Sequence, residues 1–246
     1  MITKEELDKL VKEYETKDFI KDDPIQIPHR FSDEEDITIS AFVTSCFAYG
    51  NRKVFIRKLN ELFNMIDNKP YEYVINFDPK MIKGFDYRFS KDYDVIEFFG
   101  KLHELYKTSS LKQLFKDNYN GNIQSMMQAI CDYFYCDCSL TQGYCHLIPN
   151  PAKGCAMKRM SMFLRWLVRK PPVDFGIWNF IPQSELVIPF DTHVARMSRN
   201  LGLLKRNSND FKAVIELTEC LKTFDAKDPV KYDFALFGYG VTHPDE

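Results

Sequence analysis

The sequence has few glycines and no long apolar run. Ten glycines among 246 residues, with no convincing hairpin, disfavour a barrel or sandwich and favour helices. No stretch of about 18 apolar residues occurs, so no membrane-spanning helix is predicted. Repeats, low-complexity tracts and long Gly/Ser linkers are also missing. The length suits one large domain or two lobes.

Paired cysteine motifs are missing as well, although seven cysteines are present. Residues 1–6 do not resemble a signal peptide, and the cysteine count is odd, so we expect free thiols in a reducing cytoplasm. Cys131, Cys136, Cys138 and Cys145 lie close enough in sequence to suggest a metal site. They lack the C-x2-C spacing of common zinc sites, which favours buried, small apolar side chains over metal ligands.

Apolar and aromatic residues are abundant, at 45% and 15% of the chain, and most recur at helical spacing. Helices are predicted over 4–16, 36–48, 53–66, 94–106, 110–118, 122–135, 154–169 and 211–221. Two more are predicted to begin at a capping residue, one at Asp191 or Thr192 and one at Asp228. Residues 22–35 read as an extended connection, 67–92 show only weak periodicity, and 139–153 read as a loop. The fold class predicted from these patterns is all-α.

Positive charge is concentrated in one part of the chain. The formal net charge is -2, yet residues 151–206 contain ten Lys/Arg against three acids, which is +7 for that window. A local basic field on an otherwise acidic protein fits a face that meets an anion. Solvated helix faces would explain the same charge pattern.

Two residues in this window suggest chemistry. Asp191 follows an apolar, proline-containing approach and stands where a helix begins, and Lys158, 33 positions earlier, stands in the first turn of an amphipathic helix. The positive end of a helix disfavours an ammonium group, so a reactive lysine is expected there. The pair suggests amine nucleophile chemistry on a polyanion. A solvated lysine and a helix-capping aspartate are the structural alternatives.

The order of these motifs resembles the helix-hairpin-helix DNA glycosylase superfamily. Gly154 lies four residues before Lys158, and Asp191-Thr192-His193-Val194 matches the family's aspartate motif. The long Lys158–Asp191 interval is similar to the archaeal 8-oxoguanine glycosylase branch, and the flanking segments at 150–166 and 228–237 look still closer to an uncharacterised bacterial family near it. Ala156 replaces the second hairpin glycine, and Cys220 is the only cysteine after Cys155, so no iron–sulfur cluster is implied.

The resemblance implies a fold and an activity. The expected fold is a two-lobed helical bundle, one glycosylase-like unit over 1–246, with lobe A at 36–169, its hairpin at 150–169, and lobe B at 1–35 plus 173–246. The expected activity is removal of a damaged base, such as an oxidised purine, through a Schiff base on Lys158 with Asp191 as its partner. No cofactor, no metal and no membrane are implied; the partner would be damaged double-stranded DNA, bound by a monomer.

Further residues are expected to contact DNA. Candidates for the DNA-binding surface are Gly154, Arg159, Arg165, Arg169, His193, Arg196, Asn51 and Arg52. Candidates for the base pocket are Tyr49, Trp166, Trp178 and Phe180, which would otherwise pack in the core. Two other hypotheses remain open: a non-catalytic nucleic-acid-binding protein of the same fold, and a cysteine-metal protein.

Overall fold

A computed structural model describes residues 2–243 of the chain. The α-helices are α1 (Lys4–Tyr14), α2 (Glu34–Phe47), α3 (Arg52–Met65), α4 (Pro70–Ile75), α5 (Asp92–Tyr106), α6 (Leu111–Asn118), α7 (Ile123–Tyr135), α8 (Gln142–Leu147), α9 (Lys158–Val168), α10 (Thr192–Asn200), α11 (Phe211–Lys222) and α12 (Tyr232–Thr242). Short 3-10 segments occur at Lys17–Asp22, Pro24–Gln26, Pro28–Arg30, Pro151–Lys153, Gln183–Glu185 and Pro229–Lys231. Within the described residues, β-structure is limited to two isolated bridges. The all-α prediction is confirmed.

The chain forms two compact units. The terminal unit comprises Met1–Asp23, Gly121–Ile123 and Pro151–Glu246, and the central unit comprises Pro24–Asn120 and Gln124–Asn150. The predicted lobes differ from these units chiefly in residues 151–169, which were expected in lobe A and belong to the terminal unit. The physical reason is that α9 makes its ion pairs with other parts of the terminal unit, as described below.

Some helix predictions need correction. Residues 22–35 are not extended, because prolines start two 3-10 turns there, and α8 lies within the predicted loop 139–153. The helix predicted from residue 154 begins at Lys158, since residues 154–157 form a turn with left-handed backbone at Gly154. Short helices of this kind carry too few turns to show a periodic pattern.

The central unit is built around α2, which is buried from Ile37 to Phe47. A helix that is apolar on all sides is expected in the middle of a core. Phe42 lies 5.2 Å from Phe134 and 5.9 Å from Phe98, measured between ring centroids. The Asp33 side chain caps the helix by accepting from the N–H groups of residues 35 and 36.

The terminal unit packs α12 against both α1 and α10. Glycine makes this close approach possible, because a Cβ at Gly238 would overlap the Tyr14 ring and one at Gly240 would press on Met197 of α10. Each described helix is too short or too polar to cross a lipid bilayer.

Buried ion pairs hold α9 in the terminal unit. Arg165 and Arg169 are buried, with 3% and 4% of their surface exposed. Asp174 bridges them, accepting from Nε of Arg165 at 3.3 Å and from a terminal nitrogen of Arg169 at 2.8 Å. The remaining partners are Asp233 for Arg165, and Glu15 and Asp228 for Arg169. One side of α9 therefore carries charged side chains that are shielded from solvent.

This network redirects a residue that was expected to cap a helix. Asp228 precedes Pro229 and was predicted to cap the following helix, but its side chain caps nothing there. Both of its oxygens accept from Arg169, at 2.8 to 3.1 Å. A charge-assisted, two-point bond to a buried guanidinium is stronger than an exposed cap, so the ion pair takes precedence.

We expect that removal of Asp174 strongly destabilises the protein. Asp174→Ala leaves two buried guanidinium groups short of a partner, and loss of one member of a buried pair costs about 3–5 kcal/mol of unfolding free energy. Urea denaturation followed by circular dichroism measures this. Asp18→Asn is the control, because the Asp18–Lys21 pair is highly exposed and should leave the midpoint unchanged. Equal midpoints for wild type and Asp174→Ala would refute the structural role of the network.

Candidate active site at the starts of two helices

Lys158 and Asp191 lie side by side at the starts of two helices. Lys158 is the first residue of α9, and Asp191 is the residue that caps α10. The distance from Lys158 Nζ to Asp191 Oδ2 is 3.2 Å, with side-chain exposures of 36% and 12%. The structure thus brings together the two residues that the sequence singled out, and leaves the lysine open to solvent.

The two carboxylate oxygens of Asp191 contact different partners. Oδ1 accepts hydrogen bonds from the backbone N–H groups of His193 and Val194, each at 2.9 Å. These bonds confirm Asp191 as the N-cap and hold the carboxylate in one orientation. Oδ2 faces the Lys158 ammonium. The capping and pairing roles therefore coexist in one side chain.

The turn before Lys158 has an unusual backbone. Met157 is buried and adopts a left-handed conformation with φ of 50°, which is uncommon for a residue other than glycine. Its carbonyl accepts from both the N–H and the hydroxyl of Ser161, at 3.0 and 3.1 Å. The Cys155 thiol lies 3.2 Å from the Met157 sulfur. These contacts hold the turn that directs Lys158 toward Asp191.

A second carboxyl group belongs to this site, and sequence reasoning missed it. Asp233 of α12 is buried and is bound to Arg165. Burial raises its pKa to about 7, the negative charge of Asp191 adds to the rise, and Arg165 and Lys158 oppose it. The available signal was a lone acid in the apolar run that forms α12. Its pKa makes Asp233 a group that can exchange a proton near neutrality.

Two predicted contacts with DNA are contradicted. Arg165 and Arg169 are buried in ion pairs, so their guanidinium groups cannot reach a phosphate. Two other predicted contacts, Arg196 and Gly154, make internal hydrogen bonds and stay predictions. Arg196 donates to the carbonyl groups of Gly240 and His243, at 2.7 and 3.1 Å, and the Gly154 N–H donates to the Pro151 carbonyl at 2.9 Å. The predicted basic face is correspondingly smaller.

Other predicted contacts remain predictions. Arg159 is half-buried and follows Lys158 directly. The His193 ring packs edge-on against Phe237, with centroids 6.0 Å apart. In the central unit, Asn51 caps α3 by accepting from the N–H of residue 54, and Arg52 is the first residue of that helix.

Two of the four predicted base-pocket residues belong to the core. Trp166 and Trp178 are fully buried, which leaves no ring face for a flipped base. Phe180 is half-buried, with its ring 5.3 Å from Trp178. Tyr49 is half-buried in the central unit, with its hydroxyl 3.1 Å from that of Ser90. Phe180 and Tyr49 keep exposed surface, and their predicted role stays a prediction.

A cavity of about 570 Å³ lies elsewhere in the terminal unit. Side chains of α1, α10 and α12 line it, including Leu10, Met197 and Tyr239, and none of the predicted base-pocket residues does.

The cysteines give no support to a metal site. Cys131 is buried, Cys138 and Cys145 are half-buried, and Cys136 is exposed; all are free thiols. Among residues 2–243, no group of three or more His, Cys, Asp or Glu side chains is arranged to hold a metal ion. The cysteine-metal hypothesis therefore finds no site in the described part of the chain.

Comparison with known proteins adds a family. Residues 23–242 match the family described as "Protein of unknown function (DUF2400)". The chain belongs to this family. No curated protein and no solved structure matches the chain. The family description names no activity, so the likeness to helix-hairpin-helix glycosylases remains a prediction based on the motifs.

The dual role of Asp191 can be separated by substitution. Asp191→Asn keeps an N-capping side chain but removes the charge opposite Lys158, whereas Asp191→Ala removes both. We expect Asp191→Ala to lower the unfolding free energy by about 1 kcal/mol relative to Asp191→Asn. Urea denaturation of both variants measures the difference. Equal stabilities would show that the observed cap contributes nothing.

The raised pKa of Asp233 predicts a pH dependence of stability. The ordinary pKa is 3.8 and the folded value is about 7, so between these values the folded state holds a proton that the unfolded state has released. The contribution of Asp233 is therefore greatest below about pH 4 and is lost as the pH rises through 7. Denaturation of wild type and Asp233→Asn from pH 4 to 8 should show the wild type losing stability relative to the variant. Parallel profiles would contradict the raised pKa.

Proposed function

We propose that the protein is a DNA glycosylase with lyase activity that uses Lys158 as the nucleophile and Asp191 as its partner. The observation that carries the proposal is the 3.2 Å contact between Lys158 Nζ and Asp191 Oδ2, in which the lysine keeps 36% of its side-chain surface exposed. A nucleophile must have a base within hydrogen-bond reach and must also be open to its substrate. This pair meets both conditions.

The chemistry follows from the two groups. Asp191 Oδ2 accepts a proton from Lys158, and the neutral amine attacks C1′ of the damaged nucleoside. A bond forms between Nζ and C1′ as the glycosidic bond breaks, and the base departs with the bonding electrons. Opening of the sugar ring gives a Schiff base, and loss of a 2′ proton then expels the 3′ phosphate. The proton that Asp191 accepts passes to the departing base, so the carboxylate is ionised again and stabilises the positive charge that develops on the sugar.

Three observations favour DNA as the polyanion. The N-terminal ends of α9 and α10 meet at the pair, and the positive ends of helix dipoles favour nearby phosphate. Lys153, which is exposed in the segment before Lys158, adds positive charge on the approach. The motif order described above points to the same substrate class.

A non-catalytic role of the pair is the alternative. One observation favours it: Asp191 already serves as an N-cap, and its ion pair with Lys158 joins the starts of two helices. A protein that kept this contact only for stability would bind DNA, with a steep dependence on salt, and leave abasic sites intact.

Borohydride trapping separates these functions. Wild-type protein is incubated with duplex DNA that contains an abasic site or 8-oxoguanine, in the presence of borohydride, and covalent adducts are resolved by denaturing gel electrophoresis. We expect an adduct with wild type and none with Lys158→Gln. Asp191→Asn should slow adduct formation by about 10²-fold or more, because the proton acceptor is lost.

Lys170→Gln is the matched control, since it removes an exposed positive charge just beyond the opposite end of α9 from Lys158. It should form the adduct at close to the wild-type rate. Absence of an adduct with wild type on both substrates, or equal trapping by Lys158→Gln, would refute the mechanism.

A further inference from the structure

An exposed aromatic and basic turn in the central unit has no part in the lysine chemistry. Tyr87 and Ser90 exchange two backbone hydrogen bonds, each 2.9 Å long, and so close a two-residue turn. Arg88 and Phe89 form its tip. Phe89 is 42% exposed, and Arg88 is also exposed. The turn therefore presents a large apolar ring and a cation together to solvent.

The backbone of this turn is strained. Arg88 has a φ of 52°, in the left-handed region. Tight two-residue turns of this type normally use glycine or asparagine, because a larger side chain is disfavoured at positive φ. A bulky cationic side chain at such a position costs stability, and strain of this kind is often associated with binding sites.

Neighbouring side chains hold the tip in place. The His146 ring lies 4.4 Å from that of Phe89 and 5.5 Å from that of Tyr49, between centroids. The Arg88 guanidinium lies 5.5 Å from the Phe89 ring and 6.0 Å from the Tyr49 ring. It also packs on Gly50, where any Cβ would overlap it. These contacts pre-organise one cation between aromatic rings.

Charges of both signs lie near the tip. Asp86, which precedes Tyr87, is paired with Lys91 at 2.9 Å. Gly50 leads directly into α3, whose first two turns contain Arg52, Lys53, Arg57 and Lys58, and Lys58 is paired with Glu61 at 2.8 Å. Lys53 and Arg57 are exposed, and Arg88 forms no ion pair with a carboxylate in the described part of the chain. An exposed aromatic ring beside a cation that no carboxylate neutralises is the combination by which proteins bind unpaired nucleotides, with bases stacked on rings and phosphates held by basic groups.

From this arrangement we infer that the turn at Tyr87–Ser90 binds single-stranded DNA, with a base stacked on Phe89 and the adjacent phosphate held by Arg88. The basic residues of α3 attract the strand electrostatically. This site concerns strand binding by the central unit, and it does not require the lysine chemistry to be correct.

Fluorescence of 2-aminopurine within an oligo(dT) strand tests the inference, because stacking on an aromatic ring quenches it. We expect wild type to quench the probe, and Phe89→Ala to weaken binding about tenfold or more. Phe89→Trp should restore it. Tyr93→Ala is the matched control, since Tyr93 is a 59% exposed aromatic of the same unit, and it should bind like wild type.

Arg88→Gly separates binding from folding. Glycine relieves the positive φ, so the variant should unfold at the same or a higher urea concentration than wild type. It should nevertheless bind the strand more weakly, and its slope of log affinity against log salt should be smaller by about 0.7. A gain of stability with a loss of binding would support a functional reason for the arginine.

Four outcomes would overturn the inference: no binding of the strand by wild type, wild-type binding by Phe89→Ala, equal weakening by Tyr93→Ala, or equally tight binding of free dTMP. Lys158→Gln should bind the strand like wild type. Strand binding without a borohydride adduct would support this site and refute the glycosylase proposal. An adduct without strand binding would refute this site and support the glycosylase proposal.

Discussion

Two buried arginines on α9 determine how the terminal unit is assembled. Arg165 and Arg169 are bound to carboxylates from α1, α12 and the segments between helices, so that one set of ion pairs ties distant parts of the chain to one helix. Buried charges are tolerated only when they are paired and hydrogen-bonded. The orientation of α9 is thereby restricted, and with it the position of its first residue, Lys158.

The Lys158–Asp191 pair interacts electrostatically with one carboxyl group of this network, that of Asp233. Asp233 is bound to Arg165 on one side and feels the charges of Asp191 and Lys158 on the other. Folding stability and the protonation of the candidate site are therefore linked through one buried acid.

The central unit differs in character from the terminal unit. Its core is aromatic and apolar around α2, and its distinctive surface feature is a strained turn that displays Arg88 and Phe89. The terminal unit places a strained turn, at Met157, directly before its candidate nucleophile. In both units, left-handed backbone at a residue other than glycine accompanies the side chains for which we propose a function.

The sequence by itself determined the helical fold class, the start of a helix at Asp191 or Thr192 and the place of Lys158 in a first turn, because periodicity and caps are local properties. Only the tertiary structure decided the fate of Arg165, Arg169 and Trp166, which are buried. Their partners lie up to 154 positions away along the chain, as for Glu15 and Arg169. Spacing within a helix shows which side chains share a face, but whether that face meets water, an acid or a core depends on what the rest of the chain places against it.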